Sequence, residues 1–79
     1  MTFQEAEEWI TKHNGRVQTK NGIDGAKDVG EALALAGVQW SVLTVGDHEV
    51  RVATAPSAPR DLLWPYLVEC YRRAFGDPQ

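Results

Sequence analysis

The chain is predicted to fold as an α+β domain with element order α-β-α-β-β-α and a three-stranded, mainly antiparallel sheet. Helices would cover that sheet as two layers or as a helix–sheet–helix sandwich. Three observations predict it. An apolar stripe at helical spacing opens the sequence, two β-branched runs flank Gly46-Asp47, and a wide apolar helical arc precedes Gly76-Asp77-Pro78.

The first helix is expected at about residues 3–13. Thr2 and Glu5 have capping-box spacing, in which each side chain satisfies an orphan backbone donor of the other residue. At 100° per residue, Phe3, Ala6, Trp9, Ile10 and His13 share one stripe, while Glu5, Glu7, Glu8 and Lys12 lie outside it. Asn14-Gly15 ends the helix, because both residues tolerate the left-handed conformation a terminus often needs.

Arg16 to Lys20 alternates polar and β-prone residues, with Val17 and Thr19 on one face, and Asn21-Gly22 closes this short strand. From Gly25 the period changes. Ala26, Val29, Ala32, Leu33 and Ala36 fall on one helical face, and Gly37 supplies a stop. Gly30 inside that run costs about 1 kcal/mol relative to alanine.

Val38 to Val45 and His48 to Ala55 form the strongest pair. Gly46-Asp47 suits a two-residue hairpin with glycine at its first central position. That loop sets Val45 opposite His48 and Leu43 opposite Val50. One face then carries Leu43, Val45, Val50 and Val52; the other carries Trp40, Val42, Thr44, Glu49 and Arg51.

Ala55-Pro56-Ser57-Ala58-Pro59 is a rigid connector, with Ser57 as the expected cap and Pro59 in the first turn of the last helix. That helix runs to about Phe75. Leu63, Trp64, Leu67, Val68, Cys70, Tyr71, Ala74 and Phe75 span roughly 160° of its circumference. Pro65 either kinks it or marks its true start, since an interior proline removes a ladder bond. The whole sequence is expected to form a single domain, residues 1–79.

Composition narrows the classes of function. A 79-residue chain buries only about 60% of its unfolded surface, which leaves no room for a deep cofactor cleft between subdomains. Eight basic and eleven acidic side chains give a formal charge of −3, which argues against a dedicated nucleic-acid binder. Cys70 is the single cysteine, so no intramolecular disulfide forms, and a reducing compartment is expected. Met1-Thr2-Phe3-Gln4-Glu5 lacks a basic-then-apolar signal, and no apolar run approaches the ~18 residues of a membrane span. A cytoplasmic location follows as the expectation, with no membrane partner.

Motifs for chemistry fail on their own terms. Gly25-Ala26-Lys27-Asp28-Val29-Gly30 has phosphate-loop glycine spacing, but Glu31-Ala32 stands where lysine and serine or threonine are required. Asp24, Gly25 and Glu31 match three positions of a calcium loop, but Lys20 and Gly22 replace its first two carboxylates. His13, His48 and Cys70 have no paired metal-ligand spacing, and Cys70 sits mid-helix as a small hydrophobe would. Neither enzyme, metal nor cofactor is expected.

Surfaces remain. Glu5, Glu7 and Glu8 are expected to form either a solvated helix face or an acidic ridge that meets a basic partner, with Glu5 and Glu8, joined by Asp28 and Glu31, doing the steering. Trp40 with Arg51, extended by Arg16, Gln18 and Lys20, sets an aromatic among cations. That face is expected either to lie buried beneath the second helix or, uncovered, to bind single-stranded nucleic acid weakly. The arc of the final helix exceeds one sheet face. Trp64, Val68 and Phe75 should therefore be partly exposed as an interface, a homodimer included, or be covered by the first helix. In general character, though not in any motif, the chain is similar to small accessory proteins of phages and mobile elements. Some of these are anti-CRISPR inhibitors that block a nucleic-acid-handling complex by occupying its basic surfaces. The expectation is a non-enzymatic domain that binds another protein or complex, with Glu5, Glu8, Trp40, Arg51 and Trp64 as contact residues.

Overall fold

The computed structural model describes residues 1–21, 27–34, 36, 39–54 and 58–78. In chain order the elements are α1 (Phe3–Lys12), β1 (Arg16–Asn21), α2 (Val29–Ala34), β2 (Gln39–Val45), β3 (His48–Thr54) and α3 (Arg60–Phe75). The strands form one open antiparallel sheet in the order β1-β2-β3. This is the expected α+β class and order.

Local chemistry sets the boundaries. At the start of α1 the Thr2 hydroxyl accepts from the Glu5 backbone N–H at 3.2 Å, and the Thr2 N–H donates to the Glu5 carboxylate at 3.0 Å. At its end Asn14 takes φ 54°, the left-handed position. Gly15 is needed for a different reason, which is space. A Cβ there would lie 3.2 Å from both the Ile10 and Val45 side chains, where the chain leaves α1 and crosses the sheet.

The hairpin has the expected register, with Val45 opposite His48 and Leu43 opposite Val50, and Gly46 at φ 59°. Strand β1 pairs with β2 so that Val17 lies opposite Leu43 and Lys20 opposite Trp40. Helices α1 and α3 pack together on the face carrying Val17, Leu43, Val45, Val50 and Val52. The core there is Ala6, Ile10, Leu43, Val45, Leu67, Val68 and Tyr71.

Several expectations change. Helix α2 starts after Asp28 rather than at Gly25, because the Asp28 carboxylate accepts from the Glu31 N–H at 2.8 Å and caps it. Gly25, Ala26 and Gly37 lie outside the described residues. Its apolar stripe is not buried: Val29 is 77% and Leu33 74% exposed, and α2 makes no comparable packing with any other described element. The described elements therefore form two layers.

Helix α3 starts at Arg60, with Pro59 as its N-cap and no side-chain cap bond. Pro59 thus precedes the first turn, and Ser57 lies outside the described residues. The helix runs through Pro65, which is buried, rather than starting there. Val68 is fully buried, and α1 covers Trp64 through Phe3, the two rings lying 5.2 Å apart.

Candidate functional site

Three surfaces carry the groups singled out by type. The first is an open cleft where the β2–β3 turn meets the C-terminal ends of α1 and α3. His13, Asp47, His48, Tyr71, Phe75 and Asp77 are among its lining residues, and its volume is about 890 Å³. His48 stacks on Phe75 at 4.5 Å and His13 lies 4.7 Å from Trp9, ring to ring. The sequence separates these histidines by thirty-five positions, so only the fold could bring them to one hollow.

Asp77 is engaged by Arg72 at 2.8 Å and by the Trp9 indole N–H at 3.3 Å, so its carboxylate ties the chain end to α1. Cys70 is half-buried on α3 and does not line this cleft. Among the described residues no group of three or more His, Cys, Asp or Glu is placed to hold a metal ion.

The second surface is the sheet face turned away from α1 and α3. It carries Arg16, Gln18 and Lys20 from β1, Trp40, Val42 and Thr44 from β2, and Glu49, Arg51 and Ala53 from β3. The fold thus brings Trp40, Lys20 and Arg51 together. Trp40 and Lys20 are half-buried, and Val42 on this face is fully buried, so the face is not an open platform throughout. Arg51 is committed to Glu49, with a 3.0 Å ion pair along the same strand.

The third surface was missed in the sequence. Leu62 is 71% and Tyr66 51% exposed, one turn apart on α3. Both lie outside the 160° arc, of which Leu63, Trp64, Leu67, Val68 and Tyr71 pack into or against the core while Ala74 and Phe75 stay exposed. With Val52, Ala53, Thr54, Ala58, Pro59 and Leu63, Leu62 and Tyr66 border a shallow, mainly apolar groove of about 390 Å³ between α3 and β3. Among the described residues β3 has β2 on one side only, and no described strand pairs with its other edge, which runs along this groove. Half of the signal lies in the sequence, where Leu62 and Tyr66 place apolar residues outside the core arc of one helix; the edge position of β3 emerges only from the strand order.

The remaining expected contact residues are dispersed. Glu5 and Glu8 are exposed on α1, but Glu5 is committed to the cap. The Thr2 backbone N–H, then its hydroxyl, hold the Glu5 carboxyl below its ordinary pKa. Trp64 is half-buried between Phe3 and the Arg60 guanidinium, which lies 4.3 Å above its ring. These three sit on the helical layer, across the sheet from Trp40.

Over the described residues, fold and surface define a two-layer α+β arrangement in which no described strand covers the outer edge of β3. No family model, no curated protein and no solved structure matches the chain. No described helix is long and apolar enough to cross a membrane.

Proposed function

We propose that this is a non-enzymatic protein-binding domain whose contact surface is the free edge of β3 and the adjoining flank of α3. One observation carries the reading: Leu62 and Tyr66 stand exposed beside a strand edge that no described strand covers. An extended segment laid along that edge gains main-chain hydrogen bonds, and its alternate side chains reach the groove. Burial of the two side chains supplies the desolvated anchor that dominates such interfaces.

The acidic ridge of α1 adds long-range steering toward a basic partner, Glu7 and Glu8 being exposed. An inhibitor that covers a basic surface of a larger complex is the narrower form of this reading. Weak nucleic-acid binding at Trp40, Lys20 and Arg51 is the second reading, favoured by their shared face. It predicts tryptophan quenching by single-stranded oligonucleotides at low salt, and no quenching would remove it.

A peptide-display selection on the immobilised chain tests the first reading. Selected peptides should carry apolar residues at alternate positions. They should perturb amide resonances of Val50 to Thr54, and they should lose binding to Leu62→Asp. Selection of nothing, or of peptides that map to the histidine-lined cleft, would discard it.

A further inference from the structure

We infer that the β3 edge takes a second copy of this chain, through antiparallel pairing of β3 with itself about a two-fold axis at Val50. This rests on the reading of that edge as a binding surface.

The argument begins with hydrogen-bond parity. In an antiparallel pair, residues alternate between directing their N–H and C=O at the neighbouring strand and directing them away. A two-residue hairpin makes Val45 and His48 a bonded pair, so His48, Val50, Val52 and Thr54 face β2. Glu49, Arg51 and Ala53 therefore direct their backbone groups out of the sheet edge. Two copies can pair only if outward-directed residues meet each other, which puts the axis through a residue and not between two.

Charge then selects the register. An axis at Glu49 would set two carboxylates opposite each other, and one at Arg51 would set two guanidiniums opposite each other. With the axis at Val52, Arg51 would face Ala53 and Glu49 would run past the end of the partner strand. At Val50 alone, Glu49 faces Arg51 of the second copy and Arg51 faces its Glu49. Val50 then meets Val50, and His48 meets Val52. The 3.0 Å Glu49–Arg51 pair within one strand places both charges on the same face, where two copies would join them into a four-member network.

The rest of the edge agrees. Over its seven residues β3 has no proline, lysine or bulge to block addition of another strand. A two-fold axis perpendicular to the sheet keeps both copies of α3 on one side. Their facing flanks carry Leu62 and Tyr66 in the first half of α3 and the exposed Glu69 and Arg73 in the second, and the two-fold axis sets the first half of each helix toward the second half of the other. A foreign strand would need a matching charge pattern, whereas the chain is complementary to itself.

Sedimentation equilibrium of the full chain, under reductant so that Cys70 cannot cross-link, tests the pairing. The wild type should show a concentration-dependent monomer–dimer equilibrium. Glu49→Arg and Arg51→Glu should each weaken it about tenfold, since each replaces two attractive cross-strand pairs with two repulsive ones. An equimolar mixture of the two variants should restore it. The arginine introduced in one chain would then face the glutamate introduced in the other, and the retained Arg51 would face the retained Glu49. The double variant should restore it within one chain, which separates pairing from misfolding. A wild type that stays monomeric at millimolar concentration overturns the proposal, as does a dimer indifferent to these charges or unrestored by mixing. A monomer that still selects peptides at β3 overturns self-pairing alone; a chain that does neither overturns the edge reading as well.

Discussion

Single residues in this chain act through geometry that can be checked one at a time. The Thr2–Glu5 box closes α1, so Thr2→Ala should lower stability by about 1 kcal/mol in denaturant unfolding, as lost N-caps typically do. The same box gives a pH signature. The Glu5 carboxyl is held below its ordinary pKa by Thr2, so its contribution is present above the unfolded-chain value. It is lost as pH falls through the lower folded value. Stability should therefore decline on the acid side of the carboxylate range, and Glu5→Gln should flatten that decline. Gly15 acts by occupying little space. Gly15→Ala places a methyl carbon 3.2 Å from both the Ile10 and Val45 side chains, and the crowding should cost about 1 kcal/mol or more. A thermal midpoint unchanged from wild type would show that Ile10 and Val45 yield freely.

Elements differ in how legible they were, and the difference is physical. Helix α1 and the β2–β3 hairpin were readable because their signals are local: a cap box at fixed spacing, and a glycine whose positive φ suits the turn. The start of α2 is obscured in the sequence because apolar spacing runs on either side of the Asp28 cap, although Asp28 and Glu31 have the capping spacing. Its stripe also failed as a guide to packing, since Val29 and Leu33 face solvent. The groove beside β3 escaped notice because no periodicity says which side of a sheet a strand will edge, and Leu62 and Tyr66 lay outside the arc counted as core. Helix α3 continues through Pro65 because packing of the helix as a whole outweighs one unfavourable residue, although at Pro65 itself propensity and packing oppose each other. An interior proline costs about 3 kcal/mol relative to alanine, while alanine at Pro65 would forfeit about 1.6 kcal/mol for two buried methylenes. The helix term wins. Pro65→Ala should raise the denaturant midpoint, with a gain of about 1 kcal/mol, and a fall would mean that the ring fills the core better than this reckoning allows.

At the scale of the whole molecule, folding and binding draw on different flanks of the same helix. A domain of this size has about 4–12 kcal/mol of stability, so one core truncation removes a large share of it. Leu67 is fully buried between α1 and the sheet, and Leu67→Ala should cost about 2–5 kcal/mol. Leu62 lies on the opposite flank and is 71% exposed, so Leu62→Asp removes little buried area and should change stability by less than about 0.5 kcal/mol. The pair of variants separates the two roles. Leu67→Ala should lower the urea midpoint sharply, and any partner affinity it loses should track the unfolded fraction. Leu62→Asp should keep the midpoint and the far-ultraviolet spectrum while losing peptide or self-association at the β3 edge. If Leu62→Asp instead destabilises the chain as much as Leu67→Ala does, that flank belongs to the core in solution and the groove beside β3 is not a free surface.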